Sequence, residues 1–257
     1  MNKFKQLFFI TVLISLLTGC VKPKDRIHEF LQTDSATQIR EDYKSILKHL
    51  VLFKSKLDKR NPNSYDKKLS NQLFQDIRTY KNSIKIDVNN NYLTKYDEYF
   101  KQAFDKKSNI KNRNDFLILG MYKSVYEAYD LKKGHQITAL TYDKEKLQKL
   151  YYNLNVLKWK IKTARNDNRE YLFLTWQKNW QIELENKIHK GAKPSWEMIQ
   201  NLEYIKQNRE SIFESSNFSF EILLSRMITD VKNTLKNIGE EPVDVGIEAI
   251  KGLVFFI

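Results

Sequence analysis

The 257-residue chain has a single Cys, 4 Pro, 7 Gly and 4 His. One Cys excludes a disulfide framework and any Cys-rich zinc or iron–sulfur site. The shortage of Gly and Pro argues against a turn-dense all-β chain, because hairpins and barrels use those residues at each reversal. The histidines (His28, His49, His135, His189) fall in no HExxH or other metal-ligand spacing, so neither a metal nor a cofactor is expected. No Gly-rich phosphate loop and no G-x-S-x-G elbow occurs, which disfavours nucleotide chemistry and leaves a Ser/His/Asp site without a sequence marker. Acidic residues are the minority: 31 Asp and Glu face 44 Lys and Arg, a formal charge of +13.

What is present is core material. Apolar and aromatic residues make up 41% of the chain, enough for a packed interior, and the length suits one domain or two small ones. No internal repeat, low-complexity block or Gly/Ser-rich linker interrupts residues 35–238. A mainly α, compact multi-helix domain is expected there.

The N-terminus carries Lys3 and Lys5, then the apolar run Leu7 to Leu17, then Thr18-Gly19-Cys20. A short basic segment followed by 7–15 apolar residues is a secretory signal, and the run is shorter than the ~20 residues that span a bilayer. Leu17-Thr18-Gly19-Cys20 resembles the lipobox of bacterial lipoprotein precursors: an aliphatic residue, two small residues and Cys. The resemblance covers residues 1–20 and implies that Cys20 is acylated and becomes the first residue of the mature chain. It implies a partner too, the membrane itself, since two or more acyl chains anchor stably where one does not. In Gram-negative members of that family an Asp after the Cys favours the inner membrane. Val21 stands there instead, so the outer membrane is implied for a Gram-negative cell and the outer face of the cell membrane for a Gram-positive one. Loss of residues 1–19 leaves 42 basic against 31 acidic side chains, so the mature domain stays basic. Residues 20–34 read as the lipidated Cys and a short polar tether, which reaches at most about 45–50 Å.

Helical spacing is clear downstream. Ser35 and Gln38 form a capping-box pattern ahead of Ile39, Tyr43, Ile46, Leu47, Leu50, Phe53 and Leu57 on one face. Asn61-Pro62-Asn63 ends that helix, and Ser64 is placed to cap a second with Leu69, Leu73, Ile77, Tyr80 and Ile84 inward. Asn89-Asn90-Asn91 breaks the pattern before a shorter helix marked by Leu93, Tyr96, Phe100, Ala103 and Phe104. Further helices are expected from Asn114 to Lys133, from Thr141, over Gln177–Lys190, over Ser195–Glu214, and over Ser219–Ile238 with its regular apolar stripe.

Residues 156–176 admit two readings. Leu157-Lys158-Trp159-Lys160-Ile161-Lys162 alternates as a half-buried strand does, Asn166-Asp167-Asn168 supplies a turn, and Tyr171 to Trp176 is strand-like. Those three signals favour a small β-hairpin, although Leu150, Leu154, Leu157 and Ile161 also continue a helical face. On a strand, Lys158, Lys160 and Lys162 would share one face, and with Arg165 and Arg169 they form a candidate anion-binding surface. Its partners would be anionic lipid, an anionic wall polymer or another envelope protein; nucleic acid is disfavoured because the signal sends the domain out of the cytoplasm. The alternative is a solvated face. Trp176 and Trp180, four apart, would lie together on a helix, as a candidate contact for sugar rings or as core.

No catalytic residue is assigned. Glu210-Ser211 and Glu214-Ser215 echo the Glu-Ser pair of lytic transglycosylases, but the Gly-Leu-Met-Gln-type segment that family carries downstream is missing. Residues 239–257 end in Leu253-Val254-Phe255-Phe256-Ile257, too short to span a membrane and suited to docking on the domain, a membrane or a partner. The chain is therefore read as a lipid-anchored envelope protein that binds or scaffolds. A glycan-directed hydrolase with an unrecognised carboxylate, and a lipid-binding helical domain, are the alternatives.

Overall fold

A computed structural model of the chain describes residues 23–107, 109–132, 142–243 and 246, with side chains described from Asp34 onward. The architecture is mainly α. Helix α1 (Pro23–Arg60) is the axis of the domain. Its inward stripe is the one the spacing predicts, with Ile39, Ile46, Leu50, Phe53 and Leu57 all fully buried. Residues 23–34, expected as a tether, are the first turns of α1 instead. Pro23 tolerates that position because the N–H it lacks would find no partner in a first helical turn. Ser35 and Gln38 thus lie inside the helix, and Gln38 Nε2 donates to Asp42 Oδ1 at 3.2 Å rather than to a cap.

Asn61 ends α1 by folding back on it. Its side-chain amide donates to the carbonyls of Leu57 (3.0 Å) and Leu174 (2.9 Å), and its Oδ1 accepts the Leu174 N–H (2.8 Å). Helix α2 (Lys67–Thr79) follows, capped by Asp66 rather than Ser64, with the carboxylate accepting the Leu69 N–H. A two-residue hairpin comes next, β1 (Asp87–Val88) antiparallel to β2 (Asn91–Tyr92). Asn89 and Asn90 both take positive φ (55° and 63°), the pattern of a primed hairpin turn, which Asn tolerates better than most residues. The segment read only as a helix break is thus the one described sheet.

Helix α3 (Tyr96–Ala103) rides on α4 (Arg113–Ala128), which is buried almost all round from Phe116 to Val125, as a central helix must be. Close approach of the two needs Gly120: a Cβ there would meet the Phe100 ring at 2.6 Å. Helix α5 (Lys144–Thr163) is capped by Asp143, whose side chain accepts the Lys146 N–H. It settles the 156–176 ambiguity against the hairpin. The helical stripe Leu150, Leu154, Leu157, Ile161 is buried, and burying four apolar side chains along one face outweighs the local alternation. What remains of the expected hairpin is a single bridge, Arg165 to Tyr171, after the helix has ended.

Helices α6 (Asn179–His189), α7 (Trp196–Gln200) and α8 (Glu203–Lys206) bury none of their residues fully. The expected helix over 195–214 is interrupted at Leu202, which is fully buried and has extended backbone (φ −61°, ψ 140°). The carboxylate of Glu183 accepts the N–H of Glu203 at 2.9 Å. Helix α9 (Ser219–Asn237) packs lengthwise on α1 and also against α5. Its stripe of Phe220, Leu224, Met227, Val231 and Leu235 is buried. Among the described residues no helix is long and apolar enough to cross a membrane. Residues 1–22, and most of the apolar segment 243–257, lie outside the described residues.

Candidate functional site

The residues singled out from sequence do not form the surface expected of them. Two positions apart on a helix is about 200° of rotation, so Lys160 points away from Lys158 and Lys162, which lie one turn apart on the other side. Lys158 turns to α9, pairing with Glu221 and donating to Ser225 Oγ at 3.1 Å. Lys162 is exposed and lies over the Trp176 ring at 5.8 Å. Lys160 turns inward, only 8% exposed, with its ammonium 4.7 Å from the Phe104 ring centre. The cationic ladder on one strand face is therefore corrected to three lysines in three environments.

Arg165 stacks on Tyr171 (3.7 Å to the ring centre) and pairs with Glu185 at 2.9 Å. Its guanidinium also donates to the Arg169 carbonyl at 2.8 Å. Arg169 sits at the tip of the connection with φ 66°, exposed. Trp176 and Trp180 do not share a helix face, because α6 begins only at Asn179. Trp176 is buried against Phe220, ring centres 6.1 Å apart. Trp180 is half-buried in the first turn of α6, and its buried indole N–H meets no acceptor among the described residues. The expected pair for stacking a sugar ring is thus corrected to one core residue and one helix-start residue.

Two clefts meet along the 159–172 segment. The larger, about 510 Å³, has walls of Phe104, Trp159, Ala164 and Leu172, with Lys160 inside and the stem of Lys106 alongside. No carboxylate lines it. Phe104 is held in place by its edge contact with Phe173, centres 5.5 Å apart. Burial lowers the pKa of the Lys160 amine, with no opposing contribution from a nearby charge. An ammonium removed from water without a counter-ion is costly, so this position is the least satisfied charge in the cleft. The second cleft, about 350 Å³, shares Arg165 and Leu172 with the first and adds Arg60, Arg169 and Glu185. Arg60, in its lining, is held by donating to Asn179 Oδ1 and to the Gln177 carbonyl, both at 2.7 Å.

Two buried polar clusters elsewhere serve the fold. Lys54, fully buried, pairs with Asp58 (2.8 Å) and Asp115 (2.7 Å). Asp115 also accepts the Asp66 N–H and the Ser70 hydroxyl at 2.7 and 3.0 Å. Burial raises the Asp115 pKa while Lys54 and these hydrogen bonds oppose it. The cluster ties α1, α2 and α4 together, and Asp115 faces protein donors on each side.

The second cluster brings Ser45, His49 and Asp230 together. Ser45 Oγ and Asp230 Oδ2 both face His49 Nδ1, at 3.4 and 3.7 Å. A nucleophilic triad needs Ser and Asp on opposite ring nitrogens, so this geometry does not build one. Burial lowers the His49 pKa, against the pull of Asp230. It raises those of Asp42 and Asp230. His189 is exposed at the end of α6; the side chain of His28 and the whole of His135 lie outside the described residues.

Glu210, the acid of the discarded transglycosylase echo, caps α6: it accepts the Trp180 N–H at 3.0 Å and the Asn179 amide at 2.6 Å. Among the described residues no group of three or more His, Cys, Asp or Glu is placed to hold a metal.

Sequence reasoning missed Phe104, Lys106, Trp159 and Arg60 as neighbours of Lys160 and Arg165. The signal for Lys160 itself was present. Read as a helix, Lys160 lies one turn from Val156 and Leu157, both fully buried, and so falls on the inward side. Compared with protein families, curated proteins and solved structures, the chain matches none.

Proposed function

We propose that this chain is a lipid-anchored protein of the bacterial cell envelope that works by binding, and that the cleft along residues 159–172 is where it binds. The observation that carries the binding half is the cleft itself: apolar walls, the amine of a largely buried lysine without a counter-ion, and no carboxylate in the lining. A volume near 510 Å³ falls in the range of small-molecule sites, roughly 300–1,000 Å³. The anchoring half rests on Leu17-Thr18-Gly19-Cys20 and the basic and apolar segments before it. Because α1 begins at Pro23, an acylated Cys20 holds the helix close to the lipid surface, with no long tether between. With Val21 after the Cys, the proposed address is the outer membrane in a Gram-negative cell and the outer face of the cell membrane in a Gram-positive one.

Metabolic labelling with radioactive palmitate tests the anchor. Label enters the wild-type chain and is absent from Cys20→Ala, which also leaves the membrane fraction. Equal labelling of the two chains, or membrane association that survives Cys20→Ala, refutes it.

A further inference from the structure

Within that reading of the chain as a binding protein, we infer that the 510 Å³ cleft takes a single long-chain carboxylate: an apolar chain along Phe104, Trp159 and Leu172, with its anionic head on Lys160. Three observations converge. The walls are apolar and aromatic, so an unbranched hydrocarbon chain is stabilised there by leaving water. Lys160 is 8% exposed, meets the Phe104 face as its one described partner, and has no charge near enough to offset its desolvation. The basic groups beside it, Lys106 and Arg165, are not balanced by any acid in the lining.

A neutral ligand would leave the partly desolvated ammonium of Lys160 unpaired, and a small anion would leave the apolar walls wet. An anionic head joined to an apolar chain satisfies both at once. Size favours one chain over the two of a phospholipid, because the volume is that of a site for one small ligand. Arg165 is already held by Glu185 and Tyr171, so it acts as a fixed positive rim and Lys160 makes the contact. The second cleft shares Arg165 and Leu172 with the first and adds the basic groups Arg60 and Arg169 beside them.

Trp159 lines the cleft, and the chain's tryptophans serve as energy donors. The test uses the full chain bearing Cys20→Ala, so that no acyl group is attached, titrated with cis-parinaric acid while energy transfer from tryptophan is followed. Saturable binding is expected, with the methyl ester of the same chain bound roughly tenfold more weakly, the size of one lost charge-assisted contact. Lys160→Met removes that preference, weakening the acid roughly tenfold and leaving the ester within about twofold. Should Lys160→Met fold poorly, Leu172→Trp narrows the apolar wall and is expected to weaken acid and ester alike, roughly tenfold; unchanged affinity for both would place the bound chain elsewhere and overturn the assignment. Oleate competes and acetate does not.

Equal affinity for acid and ester in the unaltered cleft, or an acid affinity indifferent to Lys160→Met, overturns the assignment. So does stronger competition by phosphatidylglycerol vesicles than by oleate, which would give the cleft to a membrane lipid. Removal of residues 247–257 leaves affinity unchanged. A tenfold gain would mean that the chain's own apolar end is the occupant. None of these outcomes depends on whether Cys20 is acylated, so failure here and failure of the anchor are separate results.

Discussion

Gly120 is the position where a single methyl group tests how tightly α3 is seated on α4. In an exposed helix, Gly→Ala stabilises by about 1 kcal/mol through backbone entropy. At Gly120 the new Cβ would lie 2.6 Å from both Cδ1 and Cε1 of Phe100 and 3.2 Å from Cζ. Carbon atoms in contact prefer about 3.5–4.0 Å, so the ring has to retreat by roughly 1 Å. It has no easy direction in which to go. Phe100 is fully buried, with the Tyr96 ring edge-on at 6.0 Å. Overpacking of this kind costs about 1–3 kcal/mol. Taking off the gain in propensity leaves a net loss of up to about 2 kcal/mol, or up to about 8 °C in Tm for a domain of this size.

Urea and thermal unfolding followed by circular dichroism measure the loss. The control is the cycle with Phe100→Leu, whose smaller side chain removes the clash. The double variant should be more stable than the sum of the two single effects allows, by at least about 0.5 kcal/mol. The cleft should feel the change as well, because Phe104 follows directly on α3 and forms one of its walls. A Gly120→Ala chain that melts higher than the parent, or strictly additive costs in the cycle, would refute the reasoning.

Lys54→Met leaves Asp115 buried beside Asp58 without its cation and should cost about 3–5 kcal/mol. Because burial already raises the Asp115 pKa and Lys54 opposes that rise, the deficit should shrink as pH falls and the carboxyl protonates, which denaturation at pH 5 and pH 8 measures. Asp42 also has a raised pKa, first through burial and then, against its hydrogen bonds from Thr234 and Gln38, through Asp230. A carboxyl raised in the folded state binds more protons there than in the unfolded chain, so its contribution falls as pH climbs from the unfolded value of 3.8 through the folded one. Asp42→Asn can keep both neighbours if the Thr234 hydroxyl reverses its hydrogen bond, and should flatten that part of the stability–pH curve; an unchanged slope in thermal melts from pH 4 to 8 contradicts the assignment.

The long helices were legible because their stripes are regular. The apolar series from Ile39 to Leu57 is buried where a 3.6-residue period puts it, and α9 repeats the case from Phe220 to Leu235. Boundaries were less legible. Asp66 rather than Ser64 caps α2, and both residue types are competent caps, so sequence alone cannot choose between them. The misread stretch at 156–163 carries both periods at once. Its resolution lies in tertiary contact, since the apolar side of α5 meets α9 and α4, and only the helical phase puts Leu150, Leu154, Leu157 and Ile161 on that side together. The cleft was illegible for a related reason: Phe104, Trp159 and Leu172 come from three separate stretches of chain, and nothing in their local spacing links them.

The same folding step explains why a strongly basic segment yields so little free positive surface. Between Asp143 and Arg169 the chain carries eight basic side chains against three acidic ones, and a strand would have displayed several together. The helix distributes them as fasteners. Lys144 pairs with Glu240, and Lys158 with Glu221, both holding α5 to α9 or its end. Lys149 lies over the Tyr96 ring and Lys162 over that of Trp176. Arg165 closes the 164–172 connection through Glu185 and Tyr171. Each exposed pair of this sort contributes little alone, about 0–1 kcal/mol, yet each removes a cation from the set a ligand can use. Lys146 pairs with Asp143. Lys160, itself over the Phe104 ring, and Arg169 have no ion pair among the described residues, and they line the apolar cleft and its neighbour respectively. On the proposed reading, selectivity for an anion at this site rests on the one lysine that the helix turns inward, and net charge is a poor guide to it.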